Sequence, residues 1–154
     1  MKLKNVKALG IGGVLILLIA VTVSWLPGDQ QELPAMTVYK SQWCGCCTQW
    51  VEHMRESGFQ VEVKEANDLS LIKARYAVTS ELSSCHTAVV DGYVVEGHVP
   101  ADLVKRMLRE RPDVVGIAVP GMPIGSPGME GGIKEAYDVL TFDSAGSSSV
   151  YARR

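Results

Sequence analysis

The sequence has no internal repeat and, beyond the serines at 147–149, no low-complexity tract, so its 154 residues have room for one domain plus an N-terminal segment. It lacks a Gly-rich phosphate loop, a zinc-finger pairing of cysteines and histidines, and a Ser/His/Asp arrangement it could support. Basic excess is also missing. The formal net charge is −2, and no acid precedes Asp29, whereas Lys2, Lys4 and Lys7 all do. Without those lysines the remainder has 12 basic and 17 acidic side chains, a net of −5. A mildly acidic body has no electrostatic reason to seek nucleic acid, and it tolerates cations. What remains is an ordinary globular composition, 47% hydrophobic and 21% charged.

Residues 1–28 read as a targeting element. Three lysines precede 8–26, a run of 19 residues without charge. That length stands at the lower edge of the roughly 17–25 residues that span a bilayer. It exceeds the roughly 7–15 of a signal-peptide core. No Ala-x-Ala marks a cleavage site, Trp25 suits a membrane interface, and Pro27-Gly28 ends the run. Residues 1–28 are therefore either a signal peptide or an inner-membrane anchor, and the lysines leave the body on the outer side in both cases. Residues 29–35 form a polar linker, and 36–154 are the folded domain.

Residues 36–40 predict a strand, and the Cys44 turn runs into a helix of about 12 residues ending at Ser57-Gly58. A second strand follows over 60–64, and Asp68 caps a short helix to Tyr76. After a loop at 79–86, residues 87–90 and 93–95 form a hairpin about Asp91-Gly92. Pro100 opens a helix over 101–111 with Leu103, Met107 and Leu108 inward. This β-α-β-α-β-β-α order gives a parallel pair closed by an antiparallel hairpin. With the Trp-Cys-x-x-Cys turn at the first helix it resembles an α/β thioredoxin-like fold. Beyond it come residues 114–119, a Gly/Pro-rich loop at 120–130 with no core of its own, and two strands at 137–142 and 149–152.

Cys44-Gly-Cys-Cys47 places three thiols within four residues at a helix N-terminus, where amides and the helix dipole favour thiolate. Cys44 and Cys47 have the spacing of a redox dithiol. Cys46 is superfluous to disulfide exchange, and three crowded thiols suit a thiophilic ion instead. Pairing as two structural disulfides, Cys44–Cys47 and Cys46–Cys85, is the ordinary expectation for four exported cysteines, but adjacent cysteines pair awkwardly. On the thioredoxin pattern His86 takes the place of a proline facing the first helix, and Cys85 the place before it. Both offer ligands that proline does not.

Other residues carry two readings. His53 lies on the first helix and reads as a solvated face residue. His98 serves as a cap or hydrogen-bonding group, or as a ligand. Met122 and Met129 either fold onto the domain or supply soft thioether ligands for Cu(I). Trp43 and Trp50 are expected to pack around the site and fix the helix.

Tyr39-Lys-Ser-x-Trp-Cys-Gly-Cys-Cys47, Ala74-Arg-Tyr76, Ser84-Cys-His-Thr-Ala-Val-Val90, Gly92-Tyr-Val-Val-Glu-Gly-His-Val-Pro100 and Val119-Pro-Gly-Met-Pro-Ile-Gly-Ser-Pro-Gly-Met129 resemble the CopG family of bacterial copper-resistance proteins. The resemblance runs from about Met36 to the C-terminus. It implies a periplasmic, thioredoxin-like protein that binds several copper ions and takes part in copper redox chemistry. Matched position by position, it assigns the metal to Cys44, Cys46, Cys47, Cys85 and His86, leaving His98, Met122 and Met129 as additional candidates. The expected function is Cu(I) binding in a Cys/His cluster, with cycling to Cu(II), serving copper resistance by sequestration, as a copper oxidoreductase, or by passing ions to copper-efflux or other copper-resistance proteins. The alternative is a thiol–disulfide oxidoreductase using Cys44 and Cys47.

Overall fold

Met36, Val38 and Lys40 alternate with Thr37 and Tyr39, and that alternation makes strand β1, Met36–Lys40, with the first set turned inward. The computed structural model describes residues 32–154. The targeting segment at 1–28 and the start of the 29–35 linker lie outside the described residues. Among the described residues no helix is long and apolar enough to cross a membrane.

Nine further elements follow β1: α1 (Gly45–Glu56), β2 (Val61–Glu65), α2 (Ser70–Arg75), β3 (His86–Val90), β4 (Tyr93–Glu96), α3 (Ala101–Glu110), β5 (Gly116–Ala118), β6 (Asp138–Phe142) and β7 (Ser148–Arg153). They build one seven-stranded sheet in the order β2-β1-β3-β4-β5-β6-β7. β1 pairs parallel with β2 and antiparallel with β3, and β3 turns back antiparallel into β4. This is the expected thioredoxin-like arrangement. The C-terminal extension is continuous with it: β5 adds parallel to β4, then β6 and β7 add antiparallel.

Periodicity decides what each element buries. On α1, Cys47, Trp50, Val51 and Met54 recur at three- and four-residue spacing, and on α3 Ala101, Leu103, Val104 and Met107 do the same. Both stripes enter one core with Met36, Val38, Ala88, Val90, Val95 and Ile117. A fully buried Val, Met or Leu stabilises by about 1.5–3 kcal/mol, so this core carries most of the fold. Successive strand residues point to opposite faces, so Val94 and Ala118 meet Val78, Leu82 and Phe142 in a second, smaller cluster with Tyr76 beside it. The sheet is covered on both faces.

The Asp91-Gly92 turn has positive φ at both residues, 48° and 85°, which is the twist a two-residue hairpin needs. β2 and β7 begin one residue from their expected starts. Asp68 is not the α2 cap itself, because that position falls to Leu69, but its carboxylate accepts from the Ser70 amide and hydroxyl. Pro100 stands at the N-cap position of α3, one residue before its first turn, and makes no side-chain cap hydrogen bond.

Candidate metal centre

The turn after β1 delivers Cys44 to the N-cap of α1 in extended conformation, with Sγ accepting from the Cys47 amide at 3.3 Å. Cys46 and Cys47 occupy the first turn of that helix. Cys44 and Cys47 are joined by a disulfide, whereas Cys46 and Cys85 are free thiols. Cys46 Sγ lies 3.5 Å from Cys44 Sγ. Cys85 stands just before β3 and brings the fourth sulfur across, so that all four sulfurs lie within 4.8 Å of one another.

The β3–β4 hairpin supplies the nitrogen side. Thr87 is paired with Glu96, and the ladder continues outward through the Gly97 amide donating to the His86 carbonyl at 3.0 Å. One step further Cys85 faces His98, whose Nε2 lies 2.9 Å from the Cys85 sulfur. His86 Nδ1 lies 3.4 Å from the same sulfur. Cys85, His86 and His98 thus form a second group whose ligand atoms lie within 4.8 Å, and Cys85 belongs to both groups.

Burial sets the protonation of these groups. His86 is fully buried, and desolvation lowers its pKa well below the ordinary range, helped by the nearby His98 and Lys73. His98 is fully buried too, and desolvation lowers its pKa against the opposing pull of the Pro127 carbonyl. Both imidazoles are neutral at pH 7, the form that ligates metal. Burial, and then the adjacent Cys46, push the Cys85 thiol up to about 12. Without a cation Cys85 therefore keeps its proton, and a soft metal must displace it. His86 Nε2 is buried with no hydrogen-bond partner, while its ring packs on Trp50 with centroids 4.4 Å apart. A buried nitrogen left unpaired is costly, so its interior position fits a ligand group better than a packing role.

Two structures hold the Cys85–His86 segment in place. Beneath it the buried Glu96 carboxylate accepts from the Ser84 amide at 2.7 Å and the Thr87 hydroxyl at 2.6 Å, and it pairs with Lys73. Ser84 and Thr87 flank Cys85 and His86, so one carboxylate fixes both ends of the segment. Over it runs the Gly/Pro loop at 120–130. Ser84 Oγ donates to the Gly121 carbonyl, and the Gly121 amide donates to the Ser83 carbonyl. The Pro127 carbonyl accepts from His98 Nδ1 at 2.8 Å. At Gly128 the loop sits so close to α1 that a Cβ would lie 2.6 Å from the Cys46 carbonyl and 2.8 Å from the Trp50 amide. Met122 on this loop is 51% exposed, and Met129 is half-buried.

The structure therefore brings together Cys44, Cys46, Cys47, Cys85 and His86, and it draws His98 into the same centre. Two sequence expectations are corrected. Trp43 does not pack around the site: it is 83% exposed, because the turn at Ser41–Trp43 faces outward, whereas Trp50 is buried. His53 is not a solvated face residue. Its Nε2 accepts from the Ala101 amide at 3.1 Å, capping α3 in place of the side chain that Pro100 lacks. Sequence reasoning missed Glu96, Ser84 and the Pro127 carbonyl. Counting outward from the Asp91-Gly92 turn would have paired Cys85 with His98, but nothing local marks a buried carboxylate or a loop carbonyl.

A family described as "Protein of unknown function, DUF411" matches residues 82–129, a span that holds Cys85, His86, His98 and the covering loop. No curated protein matches. Two solved structures do, named copper resistance protein CopG, form 2 and form 1. Each is 47% identical over 80% of this chain, spanning 99% and 98% of the respective relatives, with a TM-score of 0.75.

Proposed function

The chain belongs to the CopG family of copper resistance proteins, and from that premise we propose that it holds Cu(I) through Cys44, Cys46, Cys47 and Cys85, with His98 and His86 on the Cys85 side. The observation that carries the reading is the sharing of Cys85 between the four-sulfur group and the Cys-His-His group. A Cys85 thiolate common to both groups would supply a donor to each, which supports more than one ion at the centre. Thiolates are soft and select Cu(I) over harder cations, whereas imidazole also accepts Cu(II). A site with both donor types supports cycling between the two states. Met122 and Met129 stand on the covering loop, and their thioethers would be soft ligands that disulfide formation does not remove.

Ion uptake by all four sulfurs requires the Cys44–Cys47 disulfide to be reduced first, consuming two electrons and yielding two thiols. Copper resistance by sequestration, redox conversion or transfer to an efflux system all follow from such a centre. The three lysines ahead of the uncharged run at 8–26 support a periplasm-facing body, either free or anchored to the inner membrane.

One observation favours a second reading. The Cys44–Cys47 disulfide at a helix N-terminus has a half-exposed Cys44 and a buried Cys47, the asymmetry of an attacking and a resolving thiol. That arrangement suits a thiol–disulfide oxidoreductase. The separating experiment titrates the reduced full chain, in mild detergent, with Cu(I) against a chromophoric competitor. More than one tightly held ion, lost in Cys46→Ser and Cys85→Ser, supports the copper centre. Absence of competitive binding, with insulin reduction that survives Cys46→Ser, replaces it with the oxidoreductase.

A further inference from the structure

We propose that Cys46 and Cys85 form a second redox pair beside the Cys44–Cys47 disulfide, closed by Cu(II) acting as a one-electron oxidant, so that the centre empties its last thiols as it delivers Cu(I). The inference rests on the copper reading for its oxidant and on the sulfur geometry for everything else.

The Cys44–Cys47 disulfide consumes two of the four sulfurs and leaves Cys46 and Cys85 as the free ones. These two are not dispersed. Their sulfurs lie within 4.8 Å of each other, and each residue is only half-buried. A disulfide needs about 2.05 Å between sulfurs, so closure asks for a shift of less than about 3 Å. Cys85 precedes β3 and lies outside its ladder, so its side chain can turn without breaking a strand hydrogen bond.

The proton route is in place on the Cys85 side. His98 gives its Nδ1–H to Pro127, so Nε2 carries the lone pair, and it stands 2.9 Å from the Cys85 sulfur. The balanced step is two thiols plus two Cu(II), giving one disulfide, two Cu(I) and two protons. Two S–H bonds break and one S–S bond forms. The sulfurs lose two electrons, and each copper gains one. The Cys85 proton leaves by way of His98 Nε2, which does not retain it, and the Cys46 proton leaves directly across its exposed side, so both end in water. The centre then has three sulfur states: four thiols, two thiols and none. The last offers copper no thiolate, only imidazole, which holds Cu(I) less well, so closure releases the product.

The test uses the metal-free full chain with the Cys44–Cys47 disulfide intact, in detergent and without oxygen. Two equivalents of Cu(II) are added with a Cu(I)-specific chromophoric chelator. Expected are about two Cu(I) per chain, loss of both titratable thiols, a mass lower by about 2 Da, and tryptic peptides 41–55 and 76–105 joined by a disulfide. Cys46→Ser, with Trp50 fluorescence confirming its fold, yields no joined peptides. Thiols that persist in the wild-type chain, disulfide-linked dimers in place of the internal bond, or joined peptides in Cys46→Ser each overturn the proposal. Cu(I) titration of the fully reduced chain reads the copper centre separately. Tight Cu(I) binding without closure removes only this inference, and closure without Cu(I) affinity removes only the copper centre.

Discussion

His98 presents Nε2 to the Cys85 sulfur at 2.9 Å because its other ring nitrogen is committed to the Pro127 carbonyl at 2.8 Å. A loop carbonyl thus chooses the tautomer of a buried histidine, and the tautomer chooses which atom a metal meets. The Gly/Pro loop has no core of its own, yet it completes the chemistry of a hairpin 29 residues earlier in the chain.

If His98 is a ligand, His98→Ala lowers Cu(I) affinity by more than the 10–100-fold that loss of an outer-shell partner typically costs. Competitive titration of the reduced protein measures it. An unchanged affinity removes His98 from the donor set.

Gly128→Ala forces a Cβ against the Cys46 carbonyl and the Trp50 amide at a residue whose φ is +82°. Backbone cannot yield as a side-chain tip does, so the loop lifts. The expected loss is about 1–3 kcal/mol, read by denaturant unfolding. Cu(I) affinity falls with it, because Pro127 leaves His98. A variant as stable as the parent shows that the loop does not press on α1.

Burial raises the Glu96 carboxyl above its ordinary pKa against the opposing pull of Lys73. Its folded value therefore exceeds its unfolded value of about 4.3. The folded chain keeps the proton longer, so Glu96 contributes most below the unfolded value, and that contribution is lost as pH rises through the folded one. The stability of the wild-type chain minus that of Glu96→Gln should fall over that window. A flat or rising difference between pH 4 and 7 contradicts the raised pKa.

His53→Ala removes the acceptor of the Ala101 amide and should cost about 0.5–2 kcal/mol, the range for loss of a helix N-cap. Thermal unfolding reads it. Copper stoichiometry is expected to stay unchanged, since His53 lies outside both ligand groups; a lost ion would make it a ligand.

Local pattern made much of this molecule readable in advance. β1 follows from the β-branched and aromatic residues at 36–40, α1 from the turn at Cys44 and the Ser57-Gly58 stop, and the hairpin from Asp91-Gly92. The crowding at Cys44, Cys46 and Cys47 is written in the chain itself. His53 and Trp43 were misread because their surroundings are tertiary. Nothing near His53 in sequence shows that α3 begins against it 48 residues later with a proline that cannot cap. Glu96 looks like any strand-end acid until α2 brings Lys73 over it and the segment from Ser84 to Thr87 folds across it.

The Asp91-Gly92 turn works as a ruler. It lies at the closed end of the hairpin, far along both strands from the sulfurs, yet its length determines which residues stand opposite each other at the open end. One inserted residue would shift every pair by a step and turn alternate side chains to the other face of the sheet. Cys85 would lose His98 while the three cysteines of α1 stayed where they are. The spacing of the metal donors is therefore gauged by a turn that touches none of them.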